Sequence, residues 1–138
     1  WLGDGVLWYA LIIGLALVGG TAGRDLAAHM LLAALLNLAI YLWLKRRVGR
    51  VRPYVNCPGI HLCGRALDQF SFPSGHVLHA TTFSMLLIRT WPEAALVLVP
   101  LTVLIAWSRI ALGLHYPSDV AAGALMGAVT GSLLLALY

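Results

Sequence analysis

Residues Leu26–Leu44 read LAAHMLLAALLNLAIYLWL, nineteen consecutive positions with no charged side chain and only His29 and Asn37 strongly polar. A run of about 20 predominantly apolar residues is what an α-helix needs to cross the hydrocarbon core of a bilayer. The segment should be helical, because an open strand leaves its backbone N–H and C=O groups unsatisfied in lipid. His29 and Asn37 are expected to bond a neighbouring helix, the usual role of a buried polar group inside a span.

The rest of the chain repeats this pattern. Further apolar segments run from Val6 to Gly20, Val77 to Ile88, Ala94 to Ala106 and Val120 to Leu137. Of 138 residues, 61% are hydrophobic and 10% charged, against roughly 25% charged in soluble domains. The composition therefore predicts an all-α, polytopic transmembrane helical bundle with five spans visible. The net charge of +4 is small for a nucleic-acid binder, and the basic residues sit at span ends, so no nucleic-acid partner is expected. The chain begins at Trp1, not Met, which leaves room for a further, sixth span ahead of it.

Breaks between the segments carry turn residues: Gly19, Gly20 and Gly23, then Trp91-Pro92-Glu93, then Tyr116-Pro117-Ser118-Asp119. One connection is long, a polar loop at about residues 45–75. If successive helices alternate in direction, the end of the second segment, the start of the third, the end of the fourth and the start of the fifth share one membrane face. Every unusual polar cluster lies at one of those ends. In the last segment Gly123, Gly127 and Gly131 recur every four residues, a stripe along which another helix can pack closely.

Three clusters carry the chemistry. Lys45-Arg46-Arg47-Val48-Gly49-Arg50-Val51-Arg52-Pro53, taken alone, reads as the basic stop of a span. Phe72-Pro73-Ser74-Gly75-His76 reads as a helix start, with Ser74 as its cap and the first N–H groups of the helix offered to an anion. Ser108-Arg109 and the turn from His115 to Asp119 place an arginine at the end of an apolar helix, expensive enough to be functional by default. Asp119 is close enough in sequence to hold one ring nitrogen of His115. Lys45, Arg52 and Arg109 gathered at one face with Asp119 as the only nearby carboxylate would repel one another unless an anion occupies the space between them. Phosphate fits, because guanidinium forks match its oxygens. Two histidines beside it suggest a nucleophile and an acid.

The pattern Lys45 through Arg52-Pro53, Pro73-Ser74-Gly75-His76, and Ser108-Arg109 through His115 to Asp119 resembles the three-part signature of the type 2 phosphatidic acid phosphatase superfamily, with all eleven specified residues in order. The resemblance implies a single membrane-embedded phosphatase domain over residues 1–138, cleaving a lipid phosphate or diphosphate through a phosphohistidine. The substrate would be of the phosphatidate, phosphatidylglycerophosphate or undecaprenyl diphosphate class. By that resemblance His115 is the nucleophile, Asp119 orients it, and His76 protonates the leaving group. Lys45, Arg52, Ser74, Gly75 and Arg109 hold the phosphoryl oxygens. No metal, cofactor or obligatory protein partner is implied beyond the lipid substrate and the bilayer.

A lipid phosphotransferase sharing the phosphohistidine remains open, and a non-catalytic membrane scaffold is a more distant alternative. Haloperoxidases resemble the signature too, but the apolar spans speak against a soluble oxidant. The resemblance also implies the bacterial inner membrane, with the active site on the periplasmic or extracellular side, although a count of Lys and Arg alone would make that face cytoplasmic. Arg46, Arg47 and Arg50 are read as headgroup attraction, His79 as a packed or hydrogen-bonded neighbour of His76, and His61 as without an identifiable partner. Cys57 and Cys63 are compatible with a disulfide or with two thiols.

Overall fold

The computed structural model describes residues 5–60, 62, 63, 66 and 68–137; His61 and Trp1 lie outside them. Five long α-helices form where the five apolar segments stand: α1, Val6–Val18; α2, Gly20–Val48; α4, Gly75–Thr90; α5, Ala95–Ala111; and α6, Pro117–Leu135. The loop adds one helical turn, α3, Pro53–Asn56, and a 3-10 turn, Pro92–Ala94, leads into α5. Among the described residues there is no strand, only an isolated antiparallel bridge between Val51 and Phe70.

Helix α2 starts six residues before its apolar segment, taking in Gly23, by sequence part of the break but here packed against the Leu15 carbonyl of α1, and runs four beyond it through Lys45, Arg46 and Arg47 up to Gly49. There the chain turns into the left-handed region (φ 59°), and the Gly49 N–H returns to the carbonyl of Lys45 (3.1 Å). At 29 residues α2 is long and apolar enough to cross a membrane, as are the helical stretches Pro92–Ala111 and Pro117–Leu135. Helices α1 and α4 are shorter, with 13 and 16 residues.

Helix α4 is nevertheless central. Val77, Leu78, Ala80, Thr82, Phe83, Ser84, Leu86 and Leu87 are buried around most of its circumference, so neighbouring helices supply much of its solvent. The core joins its Ala80, Phe83, Leu86 and Leu87 to Trp8 of α1, Leu26, Met30 and Ala33 of α2, Ile105 of α5 and Leu134 of α6. Outside, large apolar side chains point away from the bundle, with Leu96 83% and Leu125 68% exposed. An exterior of this kind suits lipid and not water.

Polar groups tie the helices together. Asn37 Nδ2 of α2 donates to Thr82 Oγ1 of α4 (3.0 Å), whose hydroxyl proton is shared between the carbonyls of Leu78 (3.0 Å) and Gly127 (2.9 Å). Asn37 thus does what its position in a span implies. The Nδ1 of His29 bonds the Asp25 carbonyl one turn back in its own helix (2.8 Å).

The glycine stripe is where α4 and α6 meet. A Cβ at Gly123 would stand 2.6 Å from the Ser74 carbonyl oxygen, one at Gly127 2.5 Å from that of Leu78, and one at Gly131 2.8 Å from Met85 Sδ. The first two obstacles are backbone, which cannot swing aside. Gly→Ala in an exposed helix gains about 0.5–1 kcal/mol, whereas forcing a methyl into a packed interface costs about 1–3 kcal/mol. Gly127→Ala is therefore expected to lower the thermal unfolding temperature in detergent, with Gly14→Ala, where nothing lies within 4 Å of the added Cβ, neutral or stabilising in the same assay.

Candidate active site

The four helix ends that the alternation of directions assigns to one face are joined by direct bonds. From the end of α2, Lys45 Nζ donates to the Phe70 carbonyl (2.7 Å) and pairs with Asp68. Past Gly49, Arg50 Nη1 reaches Asp119 Oδ1 at the start of α6 (2.7 Å), and Arg52 Nη1 reaches the Leu114 carbonyl (2.8 Å). The Ser74 N–H at the start of α4 donates to the Asp119 carbonyl (3.1 Å). Residues 50–51 run beside 70–71, with Ser71 N–H donating to the Arg50 carbonyl (2.7 Å).

His115 sits buried in the turn between α5 and α6, held by its own N–H and that of Leu114 on the carbonyl of Arg109 (3.1 Å each). Its Nδ1 lies 2.6 Å from the Ser71 carbonyl oxygen. A carbonyl can only accept, so Nδ1 carries the proton and, in the neutral ring, the lone pair is on Nε2. Nε2 is 3.5 Å from Arg52 Nη1. Burial first, then the positive charge of Arg52, pushes the His115 imidazole down to about 3, outweighing the opposite pull of the Ser71 bond. At neutral pH it is an uncharged base facing a cavity.

That cavity is lined by Tyr41, Arg52, Asp68, Gly75, His76, Leu114 and His115. His76, in the first turn of α4, is half-buried and lines it together with a larger groove of about 170 Å³ walled by Trp8, Tyr9, Leu38, His79 and Phe83. His79 is bonded through Nδ1 to the Gly75 carbonyl (2.9 Å), edge-on to Phe83, and also forms part of the groove wall.

Ser74 occupies the N-cap position of α4 but makes no capping bond. Its hydroxyl is fully buried and has no partner, a costly state that an arriving phosphoryl oxygen would relieve. At Gly75 an added Cβ would strike the Tyr41 ring at 2.6 Å, so glycine is what lets that ring lie against the helix start. Arg109 is buried in the last turn of α5, with its Nε on Ser108 Oγ (3.1 Å).

The structure departs from the sequence reading in several places. Asp119 does not make the short bond to His115: Oδ2 is 3.9 Å from Nδ1, where the Ser71 carbonyl is closer, and instead accepts the Tyr116 N–H (2.9 Å) that caps α6. Arg50, read as headgroup attraction, is committed to Asp119 and to Ser118 Oγ (2.7 Å) and stacks on Tyr116 (4.0 Å). Arg46 and Arg47 are both exposed, as expected, and Arg47 packs over Trp43. Cys57 is a free thiol 3.8 Å from the Tyr116 hydroxyl, so a Cys57–Cys63 disulfide is not formed. Asp119 is also not the only carboxylate at this face. Asp68 pairs with Lys45 and Arg52 and accepts from Tyr41; burial would raise its pKa, but these bonds prevail and hold the carboxyl at about 2.

A lipid-facing helical bundle whose cationic, histidine-bearing face is assembled from three signature stretches defines a multi-pass membrane phosphatase, a hydrolase of phosphoric ester bonds. The sequence model of the PAP2 superfamily matches residues 26–138, and the chain belongs to that superfamily. It is 40% identical over 123 residues to decaprenylphosphoryl-5-phosphoribose phosphatase of Mycobacterium tuberculosis, an alignment covering 86% of this chain and 67% of the relative. It is 33% identical over 81 residues to undecaprenyl-diphosphatase of Sulfolobus acidocaldarius, covering 58% and 39%. The fold is similar to that of LpxE from Aquifex aeolicus (TM-score 0.86, 29% identity, 97% of this chain and 79% of that one). It also resembles the transmembrane PAP2-type phosphatidylglycerolphosphate phosphatase of Bacillus subtilis (TM-score 0.74, 25% identity, 99% and 71%).

The depressed His115 has a measurable consequence. Below the unfolded value of 6.5 the unfolded chain takes up a proton that the native ring refuses, so its contribution disfavours folding progressively as pH falls from about 6.5 toward about 3. Thermal melts in detergent from pH 7 to pH 4 are expected to fall less steeply for His115→Asn than for the unsubstituted protein.

Proposed function

We propose that the chain hydrolyses a polyprenyl-linked phosphate or diphosphate through a phosphohistidine on Nε2 of His115. The observation that carries this reading is the Ser71 carbonyl at 2.6 Å from His115 Nδ1, which leaves an Nε2 lone pair facing the cavity shared with Arg52 and His76. In the first step Nε2 forms a bond to phosphorus as the bond to the leaving oxygen breaks, and His76, protonated, gives that oxygen its proton. In the second, His76 takes a proton from water, the resulting hydroxyl oxygen bonds phosphorus, the P–N bond breaks, and orthophosphate leaves with His115 neutral again. Lys45, Arg52, Arg109, the Ser74 hydroxyl and the Gly75 N–H at the α4 N-terminus are assigned to the phosphoryl oxygens, where charge accumulates. Asp119 acts on His115 through the turn it caps.

The reaction is assigned without metal, since both carboxylates near the cavity are taken by basic side chains. The names of the relatives favour a polyprenyl substrate, and the apolar groove that shares Tyr41, Gly75 and His76 with the reaction cavity suits a lipid tail. A lipid tail lying there keeps its head at His115. The site is placed on the outer side of a bacterial inner membrane, testable by labelling the exposed Cys63 in intact cells with an impermeant thiol reagent.

Phosphate release from polyprenyl phosphate, polyprenyl diphosphate and phosphatidate by the purified protein tests the reading. Turnover is expected to be highest with a polyprenyl substrate, resistant to magnesium chelation, and lowered at least roughly 10³-fold by His115→Ala. Retained activity in that variant would remove the nucleophile from the scheme, and a preference for phosphatidate would remove the substrate class. In isotopically labelled water the released phosphate should carry the label; an unlabelled phosphoryl group on a second lipid instead would indicate phosphotransfer.

A further inference from the structure

The carboxylate of Asp68 stands where an anion is expected. Its Oδ1 accepts from Lys45 Nζ, from Arg52 Nη2 (2.9 Å) and from the Phe70 N–H (3.1 Å), and its Oδ2 accepts from the Tyr41 hydroxyl. Lys45 and Arg52 are signature positions assigned above to the phosphoryl oxygens. Arg52 presents one fork nitrogen to Asp68 and the other, 3.5 Å away, to His115 Nε2. A single guanidinium therefore bridges Asp68 and the reactive nitrogen, and Asp68 lines the same cavity.

The two cations are almost wholly buried, with side chains 6% and 4% exposed, whereas Asp68 remains 29% exposed. It sits in the loop, outside any helix. The cations are fixed and the carboxylate is at the mouth, so of the three it is the one able to leave without unpacking the bundle.

We propose that Asp68 is a built-in substrate mimic: in the empty enzyme its carboxylate holds the phosphate's donors, and the substrate phosphate displaces it toward solvent. This rests on the phosphate-site reading of Lys45 and Arg52. Two buried cations side by side are costly without a counter-charge. Asp68 supplies it whenever phosphate is absent, and returns as orthophosphate leaves. Substrate affinity is set by an exchange of anions, and the apparent dissociation constant is the intrinsic one divided by the fraction of molecules in which Asp68 has left the site.

The test compares inhibition constants for vanadate and orthophosphate, with KM and kcat, for the unsubstituted protein, Asp68→Asn, Asp68→Ala and Arg52→Gln, each checked by thermal unfolding in detergent. Removing the competing charge is expected to tighten both inhibitors roughly 10-fold and to lower KM more than kcat, while Arg52→Gln weakens both inhibitors. If Arg52→Gln weakens them but the Asp68 variants bind them no better, or worse, Asp68 merely positions the cations and the proposal fails. If Arg52→Gln has no effect, the phosphate-site reading itself is wrong. The unsubstituted protein gives a second measurement independent of folding in the variants. Carbodiimide-mediated amine labelling of Asp68, quantified by peptide mass spectrometry, should increase when vanadate is bound; unchanged or reduced labelling would overturn the displacement.

Discussion

Lys45 and Arg52 approach one another at the end of a lipid-embedded bundle, and such an arrangement holds only if negative charge lies between them. Much of the active face follows from that constraint. Asp68 provides the charge, and its bonds reach α2 through Tyr41 and Lys45 and the post-α2 loop through Arg52. The second carboxylate, Asp119, is fully buried and has its own counter-ion in Arg50. The two ion-pair groups stand on either side of His115, which is neutral and has its proton fixed on the Ser71 side. The turn is held by neutral backbone bonds, and the charges around it set the field that the imidazole experiences.

Such a field needs rigid supports, and the glycine stripe of α6 supplies one. At Gly123 the α6 backbone lies against the Ser74 carbonyl, and the Ser74 N–H is in turn bonded to the Asp119 carbonyl. The N-terminus of α4, with the unpartnered Ser74 hydroxyl, is thereby fixed in register with the turn carrying His115. Packing deep in the bundle and geometry at the face are one problem, because the same pair of helices carries both. The short length of α4 fits this role: a helix enclosed by its neighbours is not required to be apolar over a full membrane thickness.

Much of this was legible in the sequence. Five apolar segments located five helices because only a helix satisfies its backbone in lipid, and the alternation of their directions gathered the polar clusters at one face. What could not be read were contacts made by backbone or by loop residues without periodicity. The partner of His115 Nδ1 is a carbonyl, and carbonyls leave no trace in residue identity; Asp119, four residues on, was the visible candidate. Asp68 lies in the one long connection, where no pattern gives spatial position. Arg50 differs from Arg46 and Arg47 only in following Gly49, whose left-handed conformation turns the chain back over the face toward Asp119. Tyr41 does not stand out in the sequence, since nothing in its position within the span shows that its hydroxyl serves Asp68.

The low basicity of His115 looks at first like a poor choice for a nucleophile, since a weaker base attacks less readily. The causes of the depression resolve this. Burial is permanent, but the contributions of Arg52, Lys45 and His76 are positive charges that a bound phosphate dianion largely cancels. The imidazole is uncharged before binding, when protonation would disable it, and becomes more basic once the electrophile is beside it. Asp68 offsets those same cations only in part, carrying a single negative charge where a phosphate monoester carries up to two. On the proposed mechanism, exchange of one anion for the other would strengthen the nucleophile as phosphorus arrives, coupling substrate binding to reactivity through charge.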